Sequence, residues 1–175
     1  PADYKLEARK EELAAQQSVK RLAPGRPRDL GTLVMTVGEF IGMFTDLDVA
    51  PGGEVLVINT HGENIERLQS YTGDGVFMGE STAELIGNET IFGIATDDDG
   101  NIYITDDTAG TVRKFASDTA FIAEWDGTGG AGGFDTPTGI AIDRSNAHVY
   151  IADTWNHRTQ KFDTSGNYID DWGQQ

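Results

Sequence analysis

The side chains able to do chemistry are few, and their spacing limits what they can do. Histidine occurs only at His61, His148 and His157, and cysteine is absent. A metal site of the zinc type needs two or three imidazoles or thiolates converging on one point, and no regular spacing relates these three histidines. Without cysteine there is no disulfide framework, thiolate ligand or cysteine nucleophile. The run Asp97-Asp98-Asp99-Gly100-Asn101 places carboxylates close together around a glycine, as calcium loops do, with Asp97, Asp99 and Asn101 as the ligands. No downstream glutamate closes such a loop, so a tight turn between two strands is the favoured reading and no cofactor is expected. Gly127-Thr-Gly-Gly-Ala-Gly-Gly133 lacks the Lys-Ser/Thr of a phosphate loop and is read as a flexible connection. Nothing orients a base on Ser70, Ser81, Ser117, Ser145 or Ser165, so no serine triad can be argued.

The elements that position these residues repeat. Val149–Asp153 follows Ile102–Asp106 by 47 residues, and that segment follows Val55–Asn59 by the same interval. One offset also aligns Lys161-Phe162 with Lys114-Phe115 and Arg67-Leu68, and Trp172 with Trp125 and Met78. A constant interval near 45 residues signals stacked supersecondary units. Within each unit, short β-branched and aromatic runs alternate with turn signals such as Pro51-Gly52-Gly53, Asp99-Gly100-Asn101 and Ser165-Gly166-Asn167. The runs predict four strands per unit, at about 45–50, 54–59, 64–71 and 75–79, then 92–97, 101–106, 111–116 and 120–125, then 139–143, 148–153, 158–163 and 167–172. One such sheet cannot bury both faces alone, whereas neighbours stacked as propeller blades can. The expected fold is therefore all-β, a partial β-propeller of about three four-stranded blades (about 39–79, 91–126 and 134–173) within residues 31–175.

The third unit reads Phe134-Asp-Thr-Pro137-Thr-Gly139-Ile-Ala-Ile-Asp143, then Val149-Tyr-Ile-Ala-Asp153-Thr-Trp-Asn156-His157-Arg158, then Lys161-Phe162 and Trp172-Gly173. It closely resembles the NHL repeat, and the resemblance extends with decreasing strength back to about residue 40. It implies propeller blades used mostly as binding platforms. An enzymatic relative in the family, the peptidyl-amidoglycolate lyase, has a similar propeller carrying a metal. The Asn-His-Arg signature stands only at 156–158, where the second unit has Ala109-Gly110-Thr111 and the first Gly62-Glu63-Asn64. Three units fall short of the ~4–8 blades of a closed ring. The stack should therefore expose apolar blade faces, to be covered by a second copy, another chain or a continuation of this one.

Residues 1–30 differ in character. Leu6, Leu13, Val19 and Leu22 fall near one face of an uninterrupted helical pattern over 4–22, which Ala23-Pro24-Gly25-Arg26-Pro27-Arg28 ends. This predicts a helical docking arm and a stiff linker. Charge divides at the same place. The chain carries −16, but residues 1–29 hold seven basic and five acidic side chains. The rest is acidic enough to repel phosphate backbones, so nucleic acid is excluded as its partner. No apolar run reaches the ~20 residues of a membrane span, and the basic N-terminal stretch leads into no apolar signal segment. A cytoplasmic location, or incorporation into a macromolecular or viral particle, is expected. The functional expectation is a non-catalytic structural or interaction module, with blade ends and loops as a protein-binding platform. His61, Asp107, Trp155, Asn156, His157 and Arg158 are the candidate contacts in those loops. The alternatives are part of a metal-dependent lyase-like propeller, or a peptide- or carbohydrate-binding propeller closed by dimerisation.

Overall fold

The computed structural model describes residues 42–61, 65–81, 91–129 and 132–173. The expected arm, with Leu6, Leu13, Val19 and Leu22, lies outside the described residues. The described residues hold twelve strands, all within the compact unit of residues 41–175. They are β1 Gly42–Val49, β2 Val55–His61, β3 Ile65–Tyr71 and β4 Phe77–Ser81, then β5 Ile91–Thr96, β6 Ile102–Asp106, β7 Thr111–Phe115 and β8 Phe121–Trp125, then β9 Pro137–Asp143, β10 His148–Asp153, β11 Arg158–Asp163 and β12 Tyr168–Gly173. They make three antiparallel sheets of four strands, each in sequential order, and no helix occurs among the described residues. The blades are therefore those that the repeat predicts.

Alternation along the strands decides which face meets which neighbour. Leu56, Ile58 and Leu68 of the first blade pack with Ile91, Ile94, Ile102, Ile104 and Phe115 of the second. Tyr103 and Val112, on the second blade's other face, pack with Val149, Ile151 and Phe162 of the third, joined by Trp125, Phe134 and Tyr168. Each seam between blades thus has its own core, one aliphatic and one aromatic. β6 lies between the two, and all five of its residues are buried.

One expectation needs correction. In the second and third blades, Asp106 pairs with Thr111 and Asp153 with Arg158, five residues on, whereas Asn59 pairs with Arg67, eight residues on. Three extra residues in the β2–β3 connection end the 47-residue interval there. Ser70-Tyr71, opposite Leu56 and Val55, therefore occupy the place of Lys114-Phe115 and Lys161-Phe162. Ser81, paired with Leu68 as Trp125 is with Val112 and Trp172 with Thr159, takes the place assigned to Met78. The corrected register also explains a T-shaped aromatic pair in every blade: Tyr71–Phe77, Phe115–Phe121 and Phe162–Tyr168.

Candidate functional site

Where the second strand of a blade ends, a buried polar side chain holds the turn that follows. Asp153 accepts hydrogen bonds from the Asp135 backbone N–H, Asn156 Nδ2, Gln160 Nε2 and, at 2.6 Å, Arg158 Nε. Burial pushes its carboxyl up, but these donors outweigh burial and hold it below the ordinary carboxylate range. Arg158, only 6 % exposed, also donates to the Gly132 and Gly133 carbonyls, and Asn156 Nδ2 donates to Gly133. The end of the glycine-dense connection is thus fastened to the blade. The second blade repeats the arrangement with Asp106, the Ala109 N–H and Arg113, which also pairs with Glu124. In the first blade Asn59, Gln69, Tyr71, Arg67 and Glu80 form the corresponding network. A buried carboxylate in such a network is costly to strip of its partners, so these groups serve the fold.

At the opposite end of the blades, the first strands are tied across the seams. Asp46 accepts from the Ile94 N–H, and Asp48 from the N–H and hydroxyl of Thr96. Arg144, in the β9–β10 turn, donates to the Thr96 carbonyl, the Thr96 hydroxyl and the Val49 carbonyl, and pairs with Asp48 at 3.6 Å. One third-blade side chain therefore reaches both other blades.

The two seams and the end faces of the stack differ in how far they are filled. Between the second and third blades, Tyr103, Lys114 and Trp125 fill the space. The Tyr103 hydroxyl donates to Asp97, Lys114 Nζ donates to the Thr164 carbonyl and lies over the Tyr103 ring, and the Trp125 ring packs on Tyr103 and Phe162. Burial raises the Tyr103 hydroxyl pKa, and the Asp97 carboxylate adds to that. Burial also pushes Asp97 up, but donors from Asn101 and Tyr103 with the Lys114 charge more than compensate and leave it below the ordinary range. The corresponding places between the first and second blades hold Leu56, Ser70 and Ser81. An open cleft of about 620 Å³ remains there, edged by Glu54, Glu80, Asp98, Asp99 and Asp118. On the outer face of the third blade the full set recurs. The Tyr150 ring meets Trp172 edge-on at 5.9 Å, Lys161 lies over Tyr150, and Trp172 is 50 % exposed.

Residues 134–162 match the NHL repeat, and three solved structures have the same sheet arrangement. The third blade thus carries an NHL repeat, and the chain has the fold of β-propeller blades. A protein of unknown function from Bacteroides caccae superposes with a TM-score of 0.58 at 13% identity, over 75% of this chain and 46% of that one. The WD40 repeats of RRP9 give 0.58 at 12%, over 77% and 39%. A streptogramin B lyase gives 0.56 at 18%, over 73% and 39%. At these identities the likeness is one of fold, and this chain spans less than half of each of these proteins. No curated protein matches it in sequence.

The expected contact residues stand at or beside the second-to-third-strand turns of the three blades. Trp155 is 70 % exposed in the β10–β11 turn, beside an exposed His157 with φ 52°. Asn156 and Arg158, from the same turn, face inward onto Asp153. Asp107 stands half-buried in the second blade's equivalent turn, and His61 ends β2 of the first blade. His148 begins β10, so a blade length separates it from His157. Asp97 engages the N–H groups of Asp99 and Asn101 and the Asn101 side chain, the geometry of a turn, and Asp99 is exposed. No group of three or more His, Asp or Glu poised around a metal position occurs among the described residues. Sequence reasoning missed two features. The interval aligned Trp172 with Trp125 and Lys161 with Lys114, but nothing in it told which set was covered. Arg144 gave no signal, because the other units lack an arginine there.

Proposed function

We propose that this chain is a non-catalytic interaction module that binds protein through the end faces of its blade stack. One observation carries the reading: Tyr150, Lys161 and Trp172 repeat on an open face the set that Tyr103, Lys114 and Trp125 form inside a seam. Trp and Tyr packed together on an open face are the residue types that dominate protein-binding hot spots. Leu47 and Val49, at the other end of the stack, are 58 % and 46 % exposed, whereas their second-blade counterparts Ile94 and Thr96 are buried. Among the described residues, neither end has a neighbouring blade. In this reading residues 1–30 act as a docking arm within a larger assembly, in the cytoplasm or in a particle, and the chain needs no cofactor.

The test places a photo-crosslinking amino acid at position 161, on the open face, at Ile122 on the exposed outer strand β8, and at Trp155. Protein adducts from position 161, with none from 122, are expected. Adducts from 155 with none from 161 would move recognition to the loops and overturn the proposal.

A further inference from the structure

The occupant of the open face can be read from the seam it copies. We infer that two copies of this chain close a six-bladed ring, the third blade of each seated on the first blade of the other. The inference rests on the end-face reading above and names the partner.

The second blade meets the third through Gly93, Tyr103, Lys114 and Trp125, and the third blade's outer face offers Gly139, Tyr150, Lys161 and Trp172 at the same places. Gly93 must be glycine because a Cβ there would lie 2.6 Å from the Thr138 carbonyl. Opposite Trp125 the β11–β12 turn presents Gly166, at φ 85°, where a Cβ would lie 2.8 Å from the indole ring. Indole and glycine thus come as a pair. In the seam between the first and second blades neither is present: Ser81 replaces the indole, and Thr119 stands at the turn position of Gly166. A partner for Trp172 must therefore offer a glycine in its own third-to-fourth-strand turn. The first blade does so. Gly75, at φ 80°, holds that position in the β3–β4 turn, and a Cβ there would meet nothing within 4 Å. The carbonyl of Gly73 is placed as that of Thr164 is, to accept from Lys161 as Thr164 accepts from Lys114. The exposed Asp74 beside it complements the lysine charge.

Joining third blade to first twice, about a two-fold axis, continues the existing seam, leaves no open end and gives six blades, within the usual ~4–8.

Sedimentation velocity across a concentration series tests this on the full chain, with two variants. Trp172→Ala removes the indole. Gly75→Asn keeps a residue that tolerates positive φ but adds a Cβ where Trp172 of the other copy would land. Both sites are open in the single chain, so circular dichroism should be unchanged. The expected result is a species of twice 18.9 kDa for the parent and monomers for both variants. A monomeric parent, an open-ended series of oligomers, or a dimer that survives either substitution would overturn the ring. If the parent is monomeric while position 161 still crosslinks a different protein, the end-face reading stands and only the choice of partner falls.

Discussion

The two seams of this molecule join blades of the same topology with different chemistry. The second and third blades meet through aromatic rings: Tyr103, Trp125, Phe134, Phe162 and Tyr168, with Asp97 buried and Lys114 partly buried among them. The first and second meet mainly through leucine and isoleucine, with Phe115 as the one ring in that core and Ser70 and Ser81 where the lysine and tryptophan would stand. The rings fill the space out to the fourth strands, whereas the aliphatic core closes only the inner half and leaves the acidic cleft. The inner strands compensate in the opposite sense. Asp46 and Asp48 reach across to the Ile94 and Thr96 backbone in the aliphatic seam, while in the aromatic seam Gly93 lets the backbones approach directly. A blade interface can therefore be held near the axis by carboxylate–amide bonds or near the rim by aromatic packing.

The largest expected effect breaks the aromatic seam. Trp125→Ala should cost about 3 kcal/mol in denaturant unfolding, more than Leu56→Ala in the aliphatic seam, where truncation only extends an existing cleft. The reverse order would mean that the rim packing contributes little. Next, the aliphatic seam can be converted into the other. Ser81→Trp combined with Thr119→Gly should stabilise by about 1 kcal/mol, by filling the cleft and removing a β-branched residue from φ 72°. Ser81→Trp alone should gain less, because the indole would meet the Thr119 side chain, and a double-mutant cycle should report that coupling. The smallest effect is in pH. Asp97, Asp153 and Asp163 all have carboxyls held below the ordinary range in the folded chain. Their contribution is present above the unfolded pKa of about 3.9 and is lost as pH falls through the lower folded values. Stability should therefore decline on acidification below about pH 4, and less steeply in Lys114→Met, which lacks the charge paired with Asp97. An equal slope would show that this pair does not matter to the seam.

Much of the fold was legible in the residues. The hairpin turns and the runs Ile102–Asp106 and Val149–Asp153 located strands to within a residue or two in the last two blades, because strand and turn chemistry are local. The first blade was legible as four strands, but not in register. Three extra residues after β2 shift every later equivalence, and only pairing with a neighbouring strand reveals that. The candidate site was less legible. Asn156 and Arg158 carry the polar look of a binding loop, yet they turn inward to a buried Asp153, and burial is a property of the assembled sheet.

The amino-acid order alone determined the number of blades, their strand content and the match between the Tyr103–Lys114–Trp125 and Tyr150–Lys161–Trp172 sets, since periodicity and hairpin propensity act over a few residues. Tertiary packing alone decided that one set is enclosed and the other open, that Arg144 reaches all three blades, and that Gly166 lies under an indole. Those facts depend on which faces meet, and the stacking of sheets is a long-range outcome that no single segment encodes.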